Sequence, residues 1–328
     1  RPKARLDWGI ELPFDKNFVT YVWYDAFWAY LSPLGKTDRE SLSAILPVTE
    51  HFIGKDILKT HAVYWPAMLL AVELPLYRHL NVHGYLNYGG ARLSKSSGNI
   101  VDPLELAAKY GPDVLRYFVL REFGYGLDGD FSEDRLIDRF NADLANDLGN
   151  LTSRVLSMVQ RYFEGAITAA PTSIPSDLGV DTNDAGYFLD LTSLSHGEPR
   201  KHEKLSFDWR GEVDSSLNQL DFKGALDNIW DRVSRTNHYV VATSPFTLAK
   251  DPANMTRVAQ ILANLVEGLR VIAYTLDPFM PATSAKILDL LNVDQQMARQ
   301  PFGKGIPAGH RVKPTTPLFP RIDKKARA

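Results

Sequence analysis

From Ser132 onward the apolar positions fall at a helical interval. Ile137, Phe140, Leu144, Leu148, Leu151, Val155, Met158 and Tyr162 recur every three or four residues. That spacing predicts one amphipathic helix of about eight turns. Ser132 stands where an N-cap belongs, and Glu133 and Asp134 after it suit the positive end of a helix dipole. Helical spacing returns over 208–220, 223–244, 254–276 and 281–293.

The chain before residue 131 has a different rhythm. Phe18–Trp23 is β-branched and aromatic, which predicts a buried strand. Asp25 to Leu34 reads as a helix ended by Gly35. His51–Asp56 reads as a second short strand, Ile57–Val72 as an apolar helix with a kink at Pro66, and His79–Tyr88 as a third, alternating strand. Strands separated by helices predict an α/β fold with a parallel, doubly wound sheet. Pro103–Glu122 reads as two short helices parted by Gly111-Pro112. Residues 164–205, rich in Pro, Ser, Thr, Asp and Gly, read as a long loop or insertion. The expected organisation is an α/β part over 1–100, a connecting region over 101–131, a helical part over 132–310 carrying that insertion, and a tail over 311–328. No internal repeat is visible.

Composition narrows the classes. Apolar residues make up 45% of the 328, ordinary for a packed globular chain and too many for a disordered one. There is no cysteine, which removes disulfide scaffolds, cysteine nucleophiles and Cys-ligated metal sites and fits a reducing compartment. The most apolar stretch, Ala62–Leu76, is broken by Pro66, Glu73 and Pro75, so no membrane span is expected. A formal charge of −2 argues against non-specific duplex binding. Basic residues do gather over Arg311–Ala328. A solvated, frayed tail accounts for them, with phosphate contact as the alternative.

The candidate chemistry sits directly after the third strand. Gly89-Gly90-Ala91-Arg92-Leu93-Ser94-Lys95-Ser96-Ser97-Gly98-Asn99 places two cations and three hydroxyls in a pliable segment. Ligands of open α/β sheets bind beyond the carboxyl ends of strands. There, amides and hydroxyls can hold phosphate oxygens, and Lys95 can offset the charge growing on a leaving pyrophosphate. The spacing is not that of a P-loop.

Arg92-Leu93-Ser94-Lys95-Ser96 resembles the K-M-S-K-S signature of class I aminoacyl-tRNA synthetases. Its flanks extend the likeness: Val82-His83-Gly84-Tyr85 before it, Gly98-Asn99-Ile100-Val101-Asp102-Pro103 after it, and Tyr110-Gly111-Pro112-Asp113 beyond. Tyr21-Val22-Trp23-Tyr24-Asp25-Ala26, Phe52-Ile53-Gly54-Lys55-Asp56-Ile57 and Asn146-Asp147-Leu148-Gly149-Asn150 also match. Together they resemble the methionyl-tRNA synthetases over nearly the whole chain, least well over 164–205.

The resemblance implies the second half of a Rossmann-type parallel nucleotide-binding sheet, followed by an all-α anticodon-binding bundle. It implies that Lys95, with Arg92, Ser94 and Ser96, serves methionyl-adenylate formation. Gly54, Asp56 and His83 would meet ATP or the adenylate, and Trp23, Ala26, Tyr30, Ile57 and His61 would line the methionine pocket. An aromatic slot suits a thioether, although these aromatics could equally be core residues and Asp56 a helix N-cap. Phe27 stands where the family more often has proline or leucine. Asn150, Arg154 and Phe246, the last in place of the family's tryptophan, would read the CAU anticodon. The implied partners are tRNA-Met, methionine and ATP, taken with Mg2+ as substrate. No metal site is implied. His79 and His83 share a strand face, but two ligands do not make one, and the zinc of many members belongs to an inserted domain.

The family's H-I-G-H signature is absent from these residues. The expectation is therefore a methionine–tRNA ligase fragment, inactive alone, whose partner is the missing N-terminal catalytic half. A cytoplasmic or mitochondrial setting fits. Alternatives are a non-catalytic tRNA-binding module, half of a split synthetase, another class I synthetase, or a generic nucleotide-binding protein.

Overall fold

The computed structural model describes residues 1–6, 8–35, 38–89, 91–92, 101–171, 209–300 and 302–323. The chain forms two compact units. The first comprises Arg1–Tyr85 and Gly126–Asp128, and the second Leu86–Tyr125 and Gly129–Ala328.

In the first unit β1 (Glu11–Leu12) and β2 (Asp15–Val19) form an antiparallel hairpin. The strand expected over Phe18–Trp23 thus lies earlier, and Val22–Ala26 is a short helix, α1. The helical turn stacks Trp23 on Phe27, their rings 5.2 Å apart, and buries Phe27 completely. That packing overrides the strand propensity of Tyr21-Val22-Trp23. Helix α2 (Arg39–Ile45) is capped by Asp38, whose carboxylate accepts from the Ser41 N–H at 2.7 Å. Strands β3 (Glu50–Gly54) and β4 (His79–His83) run parallel, in register from Glu50↔His79 to Gly54↔His83. Between them the expected helix over Ile57–Val72 is composite. A 3-10 turn over Lys55–Ile57 leads into a π-helical turn over Thr60–Tyr64 and then α3 (Trp65–Ala71). Pro66 has no N–H to give the helical ladder, and the wide turn lies immediately ahead of it.

The core of this unit is small. Phe27, Leu31, Leu42, Leu46, Trp65 and Leu69 form it with Leu74. His51 and Ile53 of β3 are buried, whereas Phe52 between them is 55% exposed. One face of the parallel pair is therefore bare, although parallel sheets are ordinarily covered on both.

The third expected strand, His79–Tyr88, divides at Gly84. A Cβ there would lie 2.1 Å from the Leu127 carbonyl oxygen, so the chain passes flush against the returning segment. Beyond the break, β5 (Leu86–Tyr88) pairs antiparallel with β6 (Ala91–Arg92) and parallel with β7 (Gly129–Phe131).

The second unit contains α4 (Pro103–Tyr110) and α5 (Pro112–Glu122), parted at Gly111 with φ 95°. Val114, Tyr117 and Phe118 of α5 enter the helical core. Residues up to Tyr125 accordingly pack with the helices, although the sequence pattern changes only near 131. The helix expected from Ser132 is continuous to Phe163, but it is not uniform. It consists of α6 (Glu133–Arg139), a π-helical segment over Phe140–Gly149, and α7 (Asn150–Phe163). Ser132 caps it, accepting from the Arg135 N–H at 3.2 Å. The remaining described helices are α8 (Trp209–Asn218), α9 (Phe222–Thr243), α10 (Pro245–Leu248), α11 (Met255–Leu276), α12 (Pro281–Leu290) and α13 (Gln295–Ala298).

Helix α11 runs through the middle, buried almost throughout, and packs against α7, α9, α10 and α12. At its centre Glu267 and Arg270 are fully buried and paired at 2.7 Å. Glu267 also accepts from the Gly303 N–H, and Arg270 donates to the Ala298 carbonyl. The loop over 164–205 lies outside the described residues from 172 onward. No helix among the described residues is long and apolar enough to cross a membrane.

Candidate functional site

Two clusters of the expected residues form at the carboxyl end of β3. Gly54 is the last residue of that strand and His83 the last of β4, directly opposite. A Cβ on Gly54 would lie 2.7 Å from Asp56 Oδ1 and 3.5 Å from His83 Cε1. The missing side chain thus lets a carboxylate and an imidazole converge beside half-buried backbone. His83 Nδ1 is 2.9 Å from the Gly84 carbonyl, so in the neutral ring Nδ1 carries the proton and Nε2 is the acceptor. Lys55 is committed elsewhere. Its ammonium pairs with Asp128 at 2.5 Å and lies 4.3 Å from the centre of the Tyr85 ring.

The second cluster surrounds His61, which is fully buried. Its Nδ1 donates to the Ile57 carbonyl at 3.0 Å, which leaves Nε2 to accept from the Tyr30 hydroxyl at 2.8 Å. Trp23 meets the His61 ring edge-on at 5.5 Å. Ala26 lies one turn on from Trp23 in α1, half-buried. Of the expected methionine-pocket residues, Trp23, Tyr30, Ile57 and His61 are thereby drawn together. The 3-10 turn Lys55–Ile57 joins the two clusters, because Asp56 belongs to one and Ile57 to the next.

Sequence reasoning missed the support behind this slot. His51 packs tilted against Tyr30 and edge-on to Tyr77, each with ring centres 4.6 Å apart, and Tyr77 donates to the His61 carbonyl at 2.8 Å. Trp65 stacks on Phe27 at 5.3 Å. Burial pushes the His51 pKa down, with the neighbouring His61 adding to it, and burial pushes the Tyr30 hydroxyl up. The one available signal was the alternation of His51 with Phe52 and Ile53.

Arg92 lies on β6 with its backbone opposite Asn87. Ser94, Lys95 and Ser96 lie outside the described residues. In the second unit Asn150 is the first residue of α7 and is exposed, and Arg154 follows one turn later, half-exposed. The buried stripe of Leu151 and Val155 turns inward beside them. Phe246 is the second residue of α10 and is 46% exposed, after Pro245, which is buried. Helices α7 and α10 both rest on α11. His79 is hydrogen-bonded to Glu50 at 3.1 Å, and the described residues hold no group of three or more His, Asp or Glu placed to bind a metal ion.

Residues 3–156 match the family described as tRNA synthetases class I (M). The methionine–tRNA ligase of Caldanaerobacter subterraneus subsp. tengcongensis is 40% identical over 326 residues, covering 98% of this chain and 48% of that protein. The Bacillus subtilis methionine–tRNA ligase is 35% identical, covering 98% and 46%. The Mycobacterium tuberculosis methionyl-tRNA synthetase bound by methionyl-adenylate superposes with a TM-score of 0.79 at 34% identity, over 96% of this chain and 59% of that one. The chain spans about half the length of the curated relatives it matches. Motif, family match and shape agree: over nearly its whole length the chain is similar to about half of a class I methionyl-tRNA synthetase.

Proposed function

We propose that this chain works as part of a methionine–tRNA ligase, which joins methionine to tRNA-Met through a methionyl-adenylate at the expense of ATP. The observation that carries the reading is the 3-10 turn Lys55–Ile57. It seats Asp56 beside Gly54 at the sheet end and Ile57 against the His61 slot. An adenylate has two ends of that character: ribose hydroxyls, which a carboxylate can accept, and a thioether, which aromatic rings favour. In this reading Gly54, Asp56 and His83 hold the nucleotide, and Trp23, Ala26, Tyr30, Ile57 and His61 hold the methionine side chain. Lys95, within the Arg92–Ser96 loop, stabilises the departing pyrophosphate of ATP, which enters with Mg2+. The two architectures are the second half of a Rossmann-type nucleotide-binding sheet and an all-α anticodon-binding bundle, and the setting is the cytoplasm.

The same proposal gives the first unit a partner. Trp8, Phe14, Val48, Phe52 and Leu70 are each more than half exposed. Among the described residues, the larger second unit leaves only Leu104 and Val241 open to the same extent. Apolar exposure of that extent marks an interface, and its occupant is the N-terminal half of the catalytic domain. In the second unit Asn150 and Arg154 offer an amide and a guanidinium to anticodon bases, and Phe246 offers a ring to stack on.

The test is binding of the chain to tRNA carrying a CAU anticodon against the same tRNA with one anticodon base changed, at one salt concentration. Tighter binding of the CAU form is expected. Equal binding overturns the anticodon reading by Asn150, Arg154 and Phe246.

A further inference from the structure

The helix that carries Asn150 changes type at that residue. Over Phe140–Gly149 it is π-helical, and at Asn150 it becomes α-helical. The Asn150 N–H is shared at this junction between the carbonyls of Ala145, five residues back, and Asp147, three back. The Asp147 carbonyl is held from outside as well. Asn237, on α9, donates to it through Nδ2 at 3.3 Å. A carbonyl oxygen has two lone pairs and can accept both donors. Gly149, the last π-helical residue, admits no larger side chain, because a Cβ would lie 2.8 Å from the Leu144 carbonyl oxygen.

We propose that Asn237 is a positioning residue for anticodon reading: by holding the Asp147 carbonyl it fixes the π-to-α junction and so the direction in which Asn150 points. This rests on the proposed role of Asn150. Each α-helical residue advances about 100° around the axis, so a shift of the junction by one residue swings the first side chain of α7 through more than a quarter turn. Leu151 and Val155 are buried and keep the body of α7 in phase. Asn150 is exposed at the junction itself, and its direction follows the backbone there. π-Helical turns are rare and frequently lie at functional sites. This one ends immediately before the residue proposed to read a base.

The experiment measures discrimination, the ratio of affinities of the 328-residue chain for tRNA with a CAU anticodon and with one base changed. It compares the parent, Asn237→Ala, Asn150→Ala and the double variant at one salt concentration. Asn237→Ala is expected to lower discrimination by about two- to tenfold, the worth of one neutral hydrogen bond. Helicity and the thermal midpoint should stay near those of the parent. In the Asn150→Ala background it should change nothing further, because it acts through that side chain. Unchanged discrimination in Asn237→Ala overturns the proposal, as does an equal loss in both backgrounds. Asn237→Asp, similar in size but unable to donate when ionised, repeats the test if the alanine variant does not fold. A parent chain with no CAU preference overturns the anticodon reading itself and this inference with it.

Discussion

The Trp65 indole donates to His51 Nε2 at 3.2 Å, deep in the first unit. To accept, Nε2 must be bare, so the His51 ring is neutral with its proton on Nδ1. Burial holds its pKa below the ordinary histidine value. An unfolded chain takes up that proton near pH 6.5. Below that point the unfolded state binds a proton that the folded ring refuses, so stability falls as pH drops and is regained above it. Thermal unfolding followed by tryptophan fluorescence should show a lower midpoint at about pH 5.5 than at about pH 7.5. His51→Gln should flatten that dependence.

The Glu267–Arg270 pair makes a sharper demand on stability. Both side chains are fully buried, and Arg270 also donates to the Met297 and Ala298 carbonyls. Arg270→Met strands the glutamate and should cost about 3–5 kcal/mol. Replacing both with apolar residues should cost far less. Gly305→Ala should fail similarly, since a Cβ there would lie 2.0 Å from Arg270 Nε. Urea unfolding of the three variants measures the differences.

Phe246 is a test of chemistry rather than of fold. It is 46% exposed, so Phe246→Ala should leave the unfolding midpoint nearly unchanged. Binding to tRNA with a CAU anticodon should weaken by about 1–3 kcal/mol, the value of one base stacked on a ring. Phe246→Trp should bind at least as tightly as the parent. An alanine variant that binds as well as the parent removes Phe246 from the site.

Tyr30→Phe isolates the aromatic slot. The change deletes the hydroxyl that donates to His61 Nε2 at 2.8 Å and strands a fully buried acceptor, worth about 1–3 kcal/mol. A non-hydrolysable methionyl-adenylate analogue should bind the variant more weakly, read by calorimetry. Affinity for the analogue equal to the parent's would count against a methionine pocket at this position.

The bare face of the first unit predicts self-association. Light scattering of the chain should reveal oligomers, and Trp8→Ser with Phe14→Ser should reduce them. Both side chains are more than 70% exposed, so these replacements should not weaken the unit. A monodisperse monomer from the parent chain contradicts the prediction.

Much of the helical unit was legible because its period is carried by burial. The stripe through Leu144, Leu148, Leu151 and Val155 is fully buried, the π-helical stretch packing on α9 and α7 on α11, and Ser132 caps where its chemistry says it should. The π-helical stretch was not legible, because spacings of three and four serve either helix. In the first unit, propensity misplaced the strand at Phe18–Trp23, since the packing of Trp23 and Phe27 decides that segment and sequence distance hides it. The Gly54, Asp56 and His83 convergence was readable only through a family motif. No periodicity joins residue 54 to residue 83; the parallel register of β3 and β4 does. His51 lacked even that signal, because its importance comes from Trp65, Tyr30 and Tyr77 gathering around it.

The flush passage of Gly84 against Leu127 has a consequence for the order in which the molecule is made. The segment Gly126–Asp128 returns to the first unit, where Asp128 accepts from the Tyr85 N–H at 2.8 Å and pairs with Lys55. A ribosome that has released the chain only as far as Tyr85 has therefore not yet supplied the last piece of that unit. Helices α4 and α5 must emerge before it is closed, so the start of the second unit exists, as nascent chain, before the first can finish. Truncations ending just before and just after residue 128 should separate an open, protease-sensitive first unit from a closed one.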